Sequence, residues 1–208
     1  PCKFASGKTQ EFDAPAVSKA VEIRGPWTLA FPPGGGAPEM LELKALISWS
    51  DHPNAGVKHF SGTARYTTKF DFDPARFGDT ANFTLDLGQV EVMAEVRMNG
   101  RNLGILWKPP FEMDVTGALK PGENVLEIDV VNLWINRMIG DEHLPEDSPR
   151  KPNGTLEAWP AWLEQGKPSP TGRHTFTSWR LWDKDDPLQT SGLLGPVRIM
   201  TSRRIRLP

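Results

Sequence analysis

The chain has 208 residues, with 24 Lys and Arg against 26 Asp and Glu, a formal charge of −2 and an isoelectric point near 6.1. Its basic residues are scattered apart from a short Arg203-Arg204-Ile205-Arg206 tail, so it lacks the basic face that neutralises nucleic-acid phosphates, and no apolar run approaches the ~20 residues of a membrane span. A single cysteine, Cys2, leaves no internal disulfide and no cysteine-based zinc cluster.

The length suits one large all-β domain with a sizeable core. Twenty prolines and 19 glycines, spread along the chain, fit many turns better than disorder. Eight tryptophans against one tyrosine is the unusual feature of the composition.

Residues 1–19 show no sustained period and read as a leader or linker, with no apolar core of a signal peptide. The domain is expected over 20–202, and 203–208 as a basic tail. Val21 to Ile23 and Trp27 to Phe31 read as an opening strand interrupted at Gly25-Pro26. Pro32 to Pro38 is a loop by composition. Met40 to Ile47 alternates and is read as a strand, Ser48 to Gly62 as a loop. Thr63 to Phe72 is a strand with Ala64, Tyr66, Thr68 and Phe70 on one face, closed by Asp73-Pro74, and Asn82 to Leu87 is another.

The stretch from Leu87 to Asp141 carries the clearest pattern. Val90, Val92, Ala94, Val96 and Met98 are apolar at every second position, and Asn99-Gly100 follows, the dipeptide of a type I′ hairpin turn. A return strand over Leu103 to Trp107 runs into Pro109-Pro110-Phe111, which cannot belong to a central strand. Met113 and Val115 resume the alternation, Lys120-Pro121-Gly122-Glu123 is a turn, and Val125 to Trp134 places Leu126, Ile128 and Val130 opposite Glu127 and Asp129. Antiparallel strands in meander order are expected here.

From Asn136 to Pro170 no strand period is visible, and six prolines fall between Pro145 and Pro170. So long a connection in a compact β domain tends to be functional. Thr175 to Leu181 is read as a returning strand, Asp183 to Pro187 as an acidic turn, and Leu193 to Met200 as the closing strand. Short strands separated by turn signals point to a sandwich.

Several of these segments resemble the jelly-roll sugar-binding domain of glycoside hydrolase family 2. They are Gly62 to Tyr66, Leu85 to Gly88, Val96 to Gly100 with Leu103-Gly104, Pro110-Phe111, Asp114 to Thr116, and Leu119 to Asn124. Asn132 to Asp141, Trp159 to Leu163, Gly172 to Thr177 and Ser191 to Val197 narrow the resemblance to the C-terminal β-sandwich of the family 106 α-L-rhamnosidases. The resemblance implies a single galactose-binding-like sandwich with long irregular loops, attached to a larger secreted or periplasmic bacterial enzyme. Those enzymes carry their acid and base on a barrel that these residues do not resemble, so no catalytic carboxylate is placed here.

Saccharide recognition needs flat apolar faces against sugar C–H bonds and fixed polar groups against hydroxyls. Trp134, Trp159, Trp162, Trp179 and Trp182 offer the faces, and Asn136, Arg137, Asp141, His143, Arg173 and His174 the polar groups. Each also has a structural alternative. Tryptophans pin long loops, and Arg137 and Asp141, four apart, form a plausible loop-stabilising pair. Trp27 and Trp49 read as core.

Asp183, Asp185 and Asp186, or Asp141, Glu142, Glu146 and Asp147, supply hard oxygens of the kind calcium prefers, without a calcium-loop glycine turn. The resemblance implies a structural calcium as an option and no required cofactor. There is no serine elbow, no zinc-protease helix motif and no phosphate-binding loop. His52, His59, His143 and His174 lack the spacing of a helical metal site.

The expected function is that of a non-catalytic carbohydrate-binding domain of a rhamnose-polysaccharide hydrolase, its partners being an oligo- or polysaccharide and the catalytic domain. The first alternative is a structural domain that docks on the barrel and completes its active-site wall. The second is a free-standing glycosidase, which needs only two carboxylates ~5–9.5 Å apart.

Overall fold

A computed structural model of the chain describes residues 2–3, 7, 9–10, 20–78 and 81–203. Most of the segment read as a leader, and the tail beyond Arg203, lie outside the described residues. Within the segment, β1 (Cys2–Lys3) and β2 (Thr9–Gln10) pair as a short ribbon.

The rest is an all-β sandwich. Its strands are β3 (Val21–Glu22), β4 (Trp27–Ala30), β5 (Met40–Leu43), β6 (Thr63–Phe72), β7 (Ala81–Asp86), β8 (Gln89–Glu91), β9 (Met93–Met98), β10 (Arg101–Leu106), β11 (Glu112–Asp114), β12 (Gly122–Val131), β13 (Gly192–Gly195) and β14 (Arg198–Arg203). One sheet has six strands in the order β10-β9-β12-β6-β4-β5, and the other has four in the order β11-β7-β14-β3. β8 and β13 form a separate two-stranded sheet.

Alternation builds the interior. Ala64 and Tyr66 of β6, Ala94, Val96 and Met98 of β9, and Leu126, Ile128 and Val130 of β12 are all buried in one cluster with Phe83, Leu85 and Ile199 of the second sheet. The opposite face of the large sheet is polar. There Arg65 donates to Asp129 at 2.6 and 2.8 Å, and Arg97 donates to Asp129 at 2.6 Å and to Glu95 at 2.8 Å. Trp27 and Trp49 are core residues, as the sequence indicated. The Trp49 indole donates to the Tyr66 hydroxyl at 2.5 Å, and that hydroxyl also accepts from the Leu193 amide at 3.1 Å.

The turn at Asn99-Gly100 has positive φ at both residues, 53° and 79°, as a type I′ turn requires. The Asn99 side chain locks it by donating to the Ala118 carbonyl and accepting from the Val125 amide.

Several expectations are corrected. The Leu87–Asp141 strands do not form a meander: β12 pairs with β9 on the side away from β10, and β11 crosses to β7 in the other sheet. Pro109-Pro110 interrupts the ladder there, and Phe111 carries the chain into the core. The run from Val90 to Met98 breaks at Val92, which is exposed; Val90 faces the core from β8. The opening strand is two strands in different sheets, with Gly25 (φ 92°) at the switch. β5 stops at Leu43, and β12 stops at Val131.

The Ser48–Gly62 loop contains a 3₁₀ turn (Trp49–Asp51) and α1 (Ala55–Lys58). The long connection contains α2 (Ile135–Asp141) and α3 (Ala161–Glu164). Thr175 to Leu181 is not a strand and makes a single bridge, Thr155 to Trp179. The closing strand divides at Gly195-Pro196 into β13 and β14.

Candidate functional site

The chain leaving β12 is fastened to the sandwich before it runs out over it. Buried Asn132 accepts from the Gly62 amide at 2.9 Å and donates to the Phe60 carbonyl at 2.8 Å. α2 then begins at Ile135. Seven residues are too few for a helix to persist alone, and three of its polar side chains hold it in place. Asn136 bonds the Gln189 backbone through both its nitrogen and its oxygen. Arg137 donates to the Gly35 carbonyl at 2.6 Å. Asp141 Oδ2 accepts from the His174 amide at 2.8 Å, the Thr175 amide at 2.7 Å and the Thr175 hydroxyl at 2.8 Å.

Asp141 is 1% exposed, and its second oxygen, Oδ1, has no hydrogen-bond partner among the described residues. Burial lowers the pKa of the Arg137 guanidinium, against the attraction of Asp141. Gly140 lies against His59, whose ring is 5.7 Å from that of His143. Burial first, then the neighbouring His143 and Arg137, hold His59 below the ordinary imidazole value.

Beyond α2, ion pairs and carbonyl bonds organise the loop. Arg173 donates to Glu142 at 2.7 Å and to the Pro145 and Leu144 carbonyls at 2.9 Å. Arg180 pairs with Glu142 and Glu146. Arg150 donates to the Gly154 and Thr177 carbonyls at 3.1 and 2.8 Å. Phe176 sits between Trp159 and Trp162, ring centroids 5.6 and 5.9 Å away, and the Trp162 indole donates to the Asp147 carbonyl at 3.1 Å.

The residues expected to read sugar therefore divide. Asn136, Arg137 and Asp141 are buried, and their polar atoms engage Gln189, Gly35 and Thr175 within the chain. Arg173 is likewise turned inward onto Glu142. Trp162 and Trp182 are half-buried, the latter against a water-sized cavity of about 20 Å³ that Arg150 and Arg173 also line. Trp134, Trp159 and Trp179 remain 57, 61 and 56% exposed, and His143 and His174 are exposed as well.

The Trp179 indole packs on Gly154, where a Cβ would stand 3.1 Å from its ring, and donates to the Asn153 carbonyl at 2.9 Å. Beside it lies an open groove of about 830 Å³ whose lining includes Glu146, Lys151, Asn153 and Arg180.

One exposed aromatic stands outside that set. Trp107, on the β10–β11 loop, is 67% exposed over a separate groove. Its signal in the sequence is the pair Pro109-Pro110, two residues further on, which marks a rigid loop that cannot join a sheet.

The expected calcium ligands do not converge. Asp186 accepts from the Asp183 amide at 2.7 Å, Asp183 from the Asp185 amide at 3.3 Å, and Asp185 pairs with Lys184 at 2.6 Å, so the turn caps itself. Among Asp141, Glu142, Glu146 and Asp147, the first engages Thr175 and the glutamates engage arginines. Among the described residues no group of three or more His, Cys, Asp or Glu is placed to hold a metal ion, so the donor set does not fit calcium.

No protein-family model matches the chain. It is 43% identical, over 95% of its length, to a protein of Formosa agariphila provisionally named a beta-glucuronidase, and covers 17% of that protein. Among solved structures it is similar to a rhamnosidase from Novosphingobium sp. PP1Y, with a TM-score of 0.73 and 32% identity over 96% of this chain and 16% of that one. A beta-glucuronidase of Bifidobacterium dentium shares the fold at a TM-score of 0.58 and 23% identity, over 92% of this chain and 31% of that one. Over nearly its whole length the chain is thus similar to one β-sandwich segment of much larger glycoside hydrolases.

Proposed function

We propose that the chain is a non-catalytic, saccharide-binding accessory domain of a secreted or periplasmic bacterial hydrolase acting on rhamnose-containing plant polysaccharide. The observation that carries this reading is the state of the long-loop tryptophans. Trp159 and Trp179 stay more than half exposed on a loop whose backbone is held by α2 and by the Arg173–Glu142 and Arg180–Glu142 pairs. A rigid aromatic face beside polar groups is the arrangement that sugars require, because stacking on a fixed ring carries little ordering penalty. The similarity to a rhamnosidase segment and the family 106 resemblance support rhamnose as the sugar class.

Each stacked ring face removes roughly 50–80 Å² of apolar surface, on the order of 1–2 kcal/mol, so two rings with a few hydrogen bonds reach about millimolar to micromolar affinity. Calorimetry with rhamnose-containing, galactan and xylan oligosaccharides tests the proposal. Binding that is lost in a Trp159→Ala, Trp179→Ala double variant supports it, and silence across the panel overturns it.

A second reading is favoured by a different feature. Leu133 and Trp134, consecutive in sequence, are both exposed at the start of α2, and contiguous exposed apolar surface marks a contact site for another domain. Under that reading the domain packs on the catalytic barrel of the parent hydrolase. Mixing the chain with that barrel would bury Trp134 and blue-shift its fluorescence, and a Trp134→Ala variant would not associate.

A further inference from the structure

Trp107 faces a groove that the long loop does not form. The groove, of about 490 Å³, is lined on one side by Trp107, Lys108 and Pro109 and on the other by Gln89, Glu91 and Val92. That volume is within the usual range of small-molecule sites.

Both walls are held in place. The β10–β11 loop is stiffened by Pro109-Pro110 and anchored by Phe111, which is buried and accepts from the Leu87 amide at 2.9 Å. The opposite wall is β8, paired with β13, and its approach turn is clamped at Gly88 (φ 65°), where a Cβ would stand 2.3 Å from the Gly195 carbonyl oxygen. Val92 is tied down by its amide bond to the Val131 carbonyl at 2.8 Å.

The groups presented between these walls are complementary in kind. The Trp107 ring offers a flat apolar face, and its N–H has no partner among the described residues, unlike those of Trp49, Trp162 and Trp179. Lys108 Nζ lies 5.4 Å from the centre of that ring. Across the groove the Glu91 carboxylate accepts from the Gln89 side-chain amide nitrogen Nε2 at 3.1 Å, which orients it and leaves it further acceptor capacity. Asp86 also lines the groove. With two carboxylates and one ammonium the lining carries no excess positive charge, so it disfavours a uronate or other anionic sugar.

We propose that the groove between Trp107 and Glu91 is a second saccharide subsite, one that takes a neutral pyranose with a C–H face on the Trp107 indole and hydroxyls donated to the Glu91 carboxylate. The groove shares Gln89, Glu91 and Val92 with a smaller pocket of about 280 Å³ that reaches Leu133 and Gln189. A second sugar unit of the same chain extends into it. The inference rests on the saccharide-binding reading of the domain and not on the long-loop face.

The test is calorimetry on the 208-residue chain and its Trp107→Ala, Glu91→Gln and Trp159→Ala, Trp179→Ala variants, each first confirmed as folded by its thermal melt. The probes are rhamno-, galacto- and xylo-oligosaccharides, with oligogalacturonates as the charged arm. Trp107→Ala is expected to weaken binding of a neutral oligosaccharide about tenfold or more, and Glu91→Gln several-fold, with oligogalacturonates binding more weakly than neutral chains.

Unchanged affinity in both groove variants, with loss in the long-loop double variant, overturns this subsite and leaves the loop reading standing. The reverse pattern supports the subsite and removes the loop face. Preference for oligogalacturonates overturns the neutral-sugar assignment. Absence of any binding overturns both readings.

Discussion

Asn136 and Gln189 are joined twice: the Asn136 amide donates to the Gln189 carbonyl at 2.7 Å, and its oxygen accepts from the Gln189 amide, also at 2.7 Å. A side chain on α2 thus behaves like the backbone of a neighbouring strand, and it closes the 53-residue excursion at the point where the chain re-enters the sandwich. Replacing it with alanine leaves two backbone groups without partners. Asn136→Ala is expected to lower stability by about 1–3 kcal/mol, read by urea titration. Faster amide exchange at Gln189 and Ser191 should accompany it.

Tyr66 has a related role in the core. Its hydroxyl accepts from both the Trp49 indole and the Leu193 amide, all three residues being buried. Tyr66→Phe keeps the ring but strands two buried donors, at about 1–3 kcal/mol. Denaturant midpoints of the two proteins measure this, and an unchanged midpoint would show that the hydroxyl is dispensable.

Gly140 sits inside α2, where alanine is favoured over glycine by about 1 kcal/mol on helix propensity alone. Here the tertiary contact overrides propensity, because a Cβ at this position would stand 2.7 Å from both Cβ and Cγ of His59. Gly140→Ala is therefore expected to lower the melting temperature. In a His59→Gly background, which removes both of those atoms, the same substitution should become neutral or stabilising, and thermal melts of the four proteins of that cycle decide it.

Two groups with displaced pKa values, His59 and Asp129, contribute to the acid response. His59 is held below the ordinary value of 6.5, chiefly by burial, so the unfolded chain binds its proton more readily. Its contribution is complete above about pH 6.5 and is lost as pH falls through the lowered folded value. The basic groups around it are Lys58, Arg137 and His143. Asp129 is held below 3.8, first by its hydrogen bond from Arg65 and then by that from Arg97, against desolvation. Its contribution is present above 3.8 and is lost as pH falls through its lowered value. Stability measured against pH should show two separate declines, and His59→Phe should remove only the upper one.

Calcium is expected to leave the melting temperature unchanged, and chelation likewise. The carboxylates of the Asp183–Asp186 turn bond its own amides and Lys184. A rise in melting temperature with added calcium would overturn this reading of the turn.

The strands were legible because their signal is local. The alternation in Thr63–Phe72 spans the same residues as β6, and alternation alone puts Leu126, Ile128 and Val130 on the buried face. The long-loop polar residues were not legible in the same way. Asn136 and Asp141 carry side chains that suit a sugar as well as they suit a backbone amide, and their partners lie more than thirty residues away. Trp107 continues the alternation of Leu103 and Ile105, so the sequence presents it as the end of a strand.

Period and turn chemistry in the sequence were enough to determine an all-β chain, the inward face of each long strand and the hairpin at Asn99-Gly100. These depend on residues within a few positions of one another, and on the rule that every second side chain of a half-buried strand leaves water. The tertiary structure decided the sheet each strand joins, the crossing of β11 to β7, and which long-loop groups turn inward. Those outcomes are set by partners remote in sequence, such as Ser48 and Ser191 at a separation of 143 residues, and a buried polar group is stable only where such a partner meets it.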